Sequence, residues 1–255
     1  MSSRTWTPDA LSSEARRLSG SCWRMVEAQH QVSTLKLVDS IEEQAALEQL
    51  VEQTKPNVPR ECQHLDYLLS TPFRYGSPYP KGSRFRRPGM TPGVYYASQA
   101  PETAVAEMAF HRLLFFAESP HTSWPVNAGE YTAFEASFTS RHGLDLTRPP
   151  LDADKARWTR PSDYSACQNL ADAARAGGIE ILGYQSVRDP NKGANLALLT
   201  CRAFTSIAPT ERQTWRIRCA SSGVQAICEF PRLGLDFGRD SFVSDSRVAR
   251  LNWDR

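Results

Sequence analysis

An α+β fold is predicted for the 255-residue chain by three observations. Strand-like and helix-like segments are interspersed without regular strand–helix–strand alternation. Trp215, Ile217 and Cys219 alternate with polar residues, as do Val224, Ala226, Cys228 and Phe230. Ser221-Ser222-Gly223 lies between the two runs and reads as the turn of a β-hairpin. Neither GxGxxG nor a phosphate-loop GxxxxGKS/T occurs, so a doubly wound nucleotide-binding sheet finds no support.

Taken in order, the first twenty residues read as a frayed or helical leader, and Cys22 to Leu37 as a short apolar segment. Ser40-Ile-Glu-Glu43 has the form of a capping box. A helix follows to about Thr54, with Leu47, Leu50 and Val51 on one face, and Lys55-Pro56 ends it. Residues 56–92 are dense in Pro, Gly, Ser and aromatics, which predicts loop and short strand. Val94 to Ala97 reads as a buried strand. Pro101 suits a first helical position, and Ala104, Val105, Met108, Leu113 and Phe116 continue a helix at 3–4 spacing.

Thr132 to Phe138 alternates as a strand with Phe134, Ala136 and Phe138 on one face. A polar connection, 141–160, precedes a helix capped by Ser162, running to Ala176 and stopped by Gly177-Gly178. Ile179 to Leu182 and Asn195 to Phe204 read as further strands.

Composition narrows the function. Lys and Arg total 30 and Asp and Glu 28, for a net charge of +2. That balance argues against a broad nucleic-acid surface. No apolar run is long enough for a membrane span, and the Ser- and Arg-rich start lacks the apolar stretch of a secretory signal. Six scattered cysteines without a CxxC pair are expected to be reduced core residues of a cytoplasmic protein. The five His lack metal-ligand spacing, so no metal site is expected.

Chemistry concentrates between residues 74 and 107. Arg74, Arg84, Arg86, Arg87 and Lys81 stand among Phe73, Tyr75, Tyr79 and Phe85, with Gly76, Gly82 and Gly89 between them. Arginine forks suit phosphates and aromatic rings suit a base, although a solvated basic loop over buried aromatics has the same composition. Glu107 follows Ala104-Val105-Ala106 and borders the apolar stripe of its helix, four residues before His111.

The run Arg74-Tyr75, Gly82-Ser-Arg84, Val94-Tyr-Tyr-Ala97, Pro101-Glu-Thr-Ala-Val-Ala-Glu107 resembles the RES domain family, named for an Arg, a Glu and a Ser. Ser186 in Gly183-Tyr-Gln-Ser-Val-Arg188 is similar to the third element, and Asn195 to the Asn on the following strand. The resemblance covers about residues 70–205. It implies an ADP-ribosyltransferase-like split antiparallel β core with flanking helices. The family domain is expected over 70–235, with 1–69 as a helical N-terminal elaboration packed on it and 236–255 as a C-terminal tail. The elaboration would be an extra layer or part of a homodimer interface.

The resemblance implies NAD+ as substrate, with no true cofactor. Cleavage at the nicotinamide–ribose bond would use water or inorganic phosphate as co-substrate, in a toxin paired with an Xre-type antitoxin that itself holds the DNA. A protein ADP-ribosyltransferase and an inactive partner-binding domain are the alternatives. Glu107, Arg84 and Ser186 are the implied catalytic set. Arg74, Tyr75, Arg86, Asn195 and one of Tyr95 or Tyr96 are implied to bind NAD+, since alternation turns only one of these tyrosines to the cleft. The family has Arg-Trp-Asn where this chain has Arg84-Phe85-Arg86, so either Arg84 or Arg86 enters the site. Arg86 or Arg87 could meet an acceptor phosphate.

Overall fold

A computed structural model describes residues 5–28, 37–77 and 79–255. Part of the expected leader, 1–4, and residues 29–36 of the expected apolar segment lie outside the described residues. Among the described residues eight strands form one sheet: β1 (Arg16–Glu27), β2 (Tyr95–Ser98), β3 (Gly129–Asp145), β4 (Ile181–Gln185), β5 (Ala194–Leu198), β6 (Glu211–Ala220), β7 (Gly223–Cys228) and β8 (Leu233–Gly238). Their order is β1-β2-β5-β4-β3-β6-β7-β8, and β1 also pairs with β3.

The 17-residue β3 organises this topology. One edge pairs with β1 along nearly all of its length. The other edge serves β6 through Gly129–Glu135 and β4 through Gly143–Asp145. The sheet therefore splits along β3. On one side β1, β2, β5, β4 and β3 form a ring closed by Trp23 opposite Ser98. On the other, β6, β7 and β8 form a meander. Every pairing is antiparallel except β3–β4, whose connection is long enough for the crossover that a parallel pair requires.

Helices α1 (Pro8–Ser13), α2 (Ile41–Thr54), α3 (Tyr67–Arg74), α4 (Pro101–Glu118), α5 (Lys155–Trp158) and α6 (Ser165–Ala176) flank the sheet. Alternation along the strands sorts three packed clusters. Cys22, Tyr95, Ala97, Phe134, Phe138, Leu196 and Leu198 turn to one face, which α3 covers with Leu69. Trp23, Met25, Tyr131 and Ala133 turn to the other, under Val105, Ala109, Phe110 and Leu113 of α4. Leu182, Tyr184 and Ala197 also turn there, under Leu11 of α1 and Leu170 and Ala174 of α6. Burying each large side chain of α4 contributes roughly 1.5–3 kcal/mol, and its alanines let the helix lie close to the sheet. Two helical layers thus share one face of the sheet.

Ser40 Oγ accepts the Glu43 backbone N–H at 3.1 Å, as the capping box requires, and Glu43 reaches back to the Asp39 N–H at 2.9 Å. The expected apolar face of α2 stays in solvent, with Leu50 60% and Val51 40% exposed. The helix ending at Ala176 begins at Ser165, with Asp163 Oδ1 accepting the Ser165 N–H.

Several expectations give way. Residues 16–27 are a strand within the sheet, so the N-terminal 69 residues are not a purely helical elaboration. Residues 67–74 are helical despite Pro72, because Asp66 caps the first turn and the proline falls near the last. The Asn195–Phe204 strand stops at Leu198, and Cys201–Ala203 is a 3-10 turn. The C-terminal tail is packed: Phe237, Phe242, Val248 and Leu251 enter the α4 cluster. Cys62 and Cys201 are disulfide-bonded, with Cα atoms 5.9 Å apart, and only Cys22, Cys167, Cys219 and Cys228 are free buried thiols. Sequence spacing could not show this pair, because folding alone brings residues 139 apart together.

Candidate active site

The face shared by the two helical layers brings Glu107, Ser186 and Asn195 together. Glu107 projects from the second turn of α4, whose entry is shaped by Ala100 and Pro101. Ser186 follows the last residue of β4, and Asn195 lies in β5 opposite Tyr184. Glu107 Oε1 accepts hydrogen bonds from Ser186 Oγ and from Asn195 Nδ2, both at 2.6 Å. No hydrogen bond reaches Oε2 among the described residues.

Each donor is itself fixed. Ser186 Oγ accepts the backbone N–H groups of Arg188 at 3.2 Å and Asp189 at 2.9 Å. With both lone pairs engaged, its single proton points at Glu107. Asn195 Oδ1 accepts Ser98 Oγ–H at 2.7 Å, which sets the amide with its NH2 group toward the carboxylate. Ser98 and Asn195 also face each other across β2 and β5. The Ser186 turn is anchored to the α4 start by Thr103 Oγ1, which donates to Asp189 Oδ2 at 2.8 Å. Gly193 is required there, since a Cβ would overlap Thr103 Oγ1 and Asp189 Oδ2.

Arg84 enters from the loop before β2 and is 8% exposed. Its Nη1 donates to the carbonyls of Trp158 at 2.7 Å and Arg160 at 3.0 Å, and its guanidinium lies 5.1 Å from the Tyr164 ring centre. Among the described residues no carboxylate pairs with it. It is a buried cation held in place without being neutralised.

Gln168, not singled out from the sequence, and Gly82, which was, support this loop. Gln168 of α6 donates to the carbonyls of Lys81, Ser83 and Arg86 at 2.8, 3.1 and 3.2 Å. Gly82, at φ +66°, allows the tight return, and a side chain there would strike the Arg86 carbonyl. That glycine admits the chain's own backbone.

The tyrosine pair divides as alternation requires. Tyr96 shares the active face: its hydroxyl lies 2.9 Å from Ser83 Oγ and accepts the Phe85 N–H at 2.9 Å. Burial pushes its pKa up to about 12. Tyr95 turns to the opposite face, fully buried against Phe204 and beneath Arg24, and its hydroxyl has no hydrogen-bond partner among the described residues. Burial raises it well above the ordinary tyrosine value.

Tyr184 was missed by sequence reading, yet it lies two residues before Ser186 in a β segment, on the same face. Burial raises its hydroxyl well above the usual range, the negative Glu107 adds to that, and Arg84 and Asn195 oppose it. Its ring meets Phe85 edge-on at 4.9 Å between centres. Tyr184 thus stands among Glu107, Asn195, Tyr96 and Arg84.

The remaining arginines are engaged elsewhere. Arg74 pairs with Glu52 of α2 at 2.6 Å and donates to the Pro56 carbonyl, while Tyr75 is 37% exposed beside it. Arg86 binds Thr91 and the Tyr75 carbonyl. Arg87 pairs with Asp172 at 2.6 Å and reaches Asn169 at 2.7 Å. The structure thus joins Arg74, Tyr75, Arg86 and Arg87 to neighbouring loops and helices by contacts that do not involve Glu107. Of the two candidates Arg84 and Arg86, Arg84 lies beside Tyr184. His111 is exposed, edge-on to Phe110.

Two cavities border Tyr184 without including Glu107. One of about 240 Å³ is lined by Leu18, Gln99, Phe138, Arg148, Gly183 and Asn195, among others. The other, of about 30 Å³, lies by Trp158 and Lys155. No group of three or more metal-ligating side chains occurs among the described residues, and no described helix is long and apolar enough to cross a membrane.

Comparison with known proteins adds three findings. No curated protein matches the chain. The crystal structure of the M. tuberculosis MbcT–MbcA toxin–antitoxin complex is similar with a TM-score of 0.44 and 16% sequence identity, over 75% of this chain and 80% of that one. The RES domain model matches residues 58–219, which begins earlier than the expected 70 and stops before 235. That match spans well over half of the sequence and contains Arg84, Glu107, Ser186 and Asn195, so the chain belongs to the RES domain family.

Proposed function

We propose that this protein breaks the nicotinamide–ribose bond of NAD+ and acts as the toxin of a toxin–antitoxin pair with an Xre-type partner. The observation that carries the chemical part is the Glu107 carboxylate, with one oxygen held by two donors and the other without a protein partner among the described residues. Nicotinamide departs with the C1′–N electron pair, which neutralises its ring, so no general acid is needed. The ribose C1′ becomes oxocarbenium-like, as in glycoside hydrolysis. A carboxylate fixed beside it stabilises that positive charge without having to reorganise, an effect worth on the order of a hundredfold or more in rate.

Arg84, held by two carbonyls, suits the dinucleotide's pyrophosphate through its remaining N–H groups. Tyr184, which feels the charges of both Glu107 and Arg84, and its neighbour Tyr96 would contribute shape around the nicotinamide and ribose. Water adding to C1′ gives ADP-ribose and releases a proton. Hydrogen phosphate adding there gives ADP-ribose 1″-phosphate. Family membership supports NAD+ as the substrate and an antitoxin as the partner; the carboxylate geometry supports the bond.

The deciding experiment mixes purified protein with NAD+, with and without inorganic phosphate, and identifies the products. Free nicotinamide is expected, and the phosphate dependence of its companion product distinguishes phosphorolysis from hydrolysis. Unchanged NAD+ under both conditions overturns the proposal.

A further inference from the structure

The family match ends at Cys219, yet a residue of the segment beyond it binds Arg188, which follows Ser186 in the same turn. Asp245 is 1% exposed and accepts from Arg188 Nη1 at 2.7 Å. Arg247 caps the same carboxylate from the solvent side at 2.8 Å. Arg188 is two residues from Ser186, and its backbone N–H is one of the two that orient the Ser186 hydroxyl.

The Arg188 guanidinium touches both walls of the site. Toward α4, it lies 3.9 Å from the Phe110 ring centre, three residues along the helix from Glu107 and on the same side. Toward the loop side, its Nη2 donates to the Pro161 carbonyl and reaches Tyr164 Oη at 3.3 Å. The face of that tyrosine carries Arg84. A single planar cation therefore bridges the Glu107 helix, the Ser186 turn and the support of Arg84. Its long stem and fork need a fixed anion to stay in register, and Asp245 supplies it.

We propose that Arg188 is a positioning residue, locked by Asp245, that sets the distance between Glu107 and Arg84; the C-terminal segment is thereby part of the active centre. This rests on the proposed NAD+ cleavage only for its kinetic readout. Geometry lost at either wall lowers turnover more than substrate affinity, because misplacement by about 1 Å can cost on the order of a hundredfold in rate.

The test compares wild type, Asp245→Asn and Arg188→Lys in two measurements. Nicotinamide release is expected to show kcat lowered by about tenfold or more with a much smaller change in KM, because the reacting groups are displaced while most binding contacts remain. Arg188→Lys keeps the buried charge pair and loses the fork, so it provides a folded variant even where Asp245→Asn fails to fold.

Backbone hydrogen exchange supplies the second measurement and needs no turnover. Exchange is expected to rise in 161–164 and 186–193 and to stay unchanged in the hairpin of β6 and β7. A uniform rise through the sheet, or wild-type exchange and kcat in folded Arg188→Lys, overturns the positioning role. Local loosening in an enzyme whose wild type leaves NAD+ intact would keep this inference and sink the NAD+ reading alone.

Discussion

Ser186 Oγ donates to Glu107 Oε1 at 2.6 Å while accepting two backbone N–H groups, so its proton has one available direction. The pair makes two separable demands on the enzyme. Glu107→Gln removes the charge that opposes the developing cation at C1′ and is expected to cost about a hundredfold or more in kcat. Ser186→Ala leaves the charge but frees its direction and strands the Arg188 and Asp189 N–H groups, at about 1–3 kcal/mol in stability. Steady-state nicotinamide release and thermal melting together check this. A Glu107→Gln enzyme with wild-type kcat would remove the carboxylate from the mechanism.

Ser98 acts at one remove. Its hydroxyl holds Asn195 Oδ1, and the amide's other end holds Glu107. Ser98→Ala leaves a buried acceptor unsatisfied, worth about 1–3 kcal/mol, and lets the amide turn. Turnover is expected to fall by about tenfold, which corresponds to about 1.4 kcal/mol of barrier. Ser98→Thr retains the donor and is expected to restore it. Equal loss in both variants would point to packing in place of the hydrogen bond.

How far the sequence reached depends on the kind of signal each element carries. Period-2 runs gave β6 and β7, and Pro101 with its apolar stripe gave α4, because these patterns are local. β1 was hidden because its buried positions are few and its exposed ones include Arg17, Ser19 and Gly20. It becomes a strand by pairing with β3, more than a hundred residues away. Residues Glu107, Ser186 and Asn195 were legible through family resemblance, and they converge. The arginine cluster left both a ligand site and a solvated basic loop open on composition, and Arg86 and Arg87 tie that loop to its own chain and to α6. Asp245 carried no signal of its link to the site, since Arg188 lies 57 residues earlier.

Tyrosine titration reads the interior of the site. Burial pushes Tyr96 and Tyr131 up to about 12 and raises Tyr95 and Tyr184 well above the ordinary value of 10.0. At a pH of about 11 these four side chains stay protonated while the fold holds, since burial disfavours the phenolate. Phenolate absorbance is then expected to account for no more than four of the eight tyrosines. The remainder should appear together on unfolding. Smooth titration of all eight in the folded protein would contradict the burial of the site-facing pair.

The thiols test the disulfide. Of six cysteines, four are free and buried. Burial raises Cys22 to about 12 and Cys219 to about 11, and raises Cys167 and Cys228 as well. Since the thiolate is the reactive species, the folded protein is expected to resist alkylation near neutral pH. Unfolding without reductant should expose four reactive thiols, and reductant should release the remaining pair, Cys62 and Cys201. Mass spectrometry giving six alkylated cysteines without reductant would exclude the bridge.

Asp245 gives stability a pH dependence with a definite sign. Burial acts to raise its pKa, but hydrogen bonds from Arg247 and the charges of Arg188 and Arg247 outweigh that and hold it below the ordinary 3.8. A carboxyl depressed on folding stabilises above its unfolded value, and that contribution is lost as pH falls through the folded value. Asp163 also titrates low, at about 2, through hydrogen bonds from Ser165 and then Arg160, so the wild-type acid limb is composite. The difference between wild type and Asp245→Asn isolates the buried pair. At neutral pH the variant leaves Arg188 without its buried counter-charge, a loss of about 3–5 kcal/mol. As pH falls below the ordinary 3.8 the unfolded state takes up the proton first, the gap begins to close, and once the folded carboxyl also protonates the two stability curves should converge. Urea unfolding from pH ~7 to pH ~2 measures the gap, and a gap that stays constant through the acid range would show that the Asp245 charge does not hold Arg188.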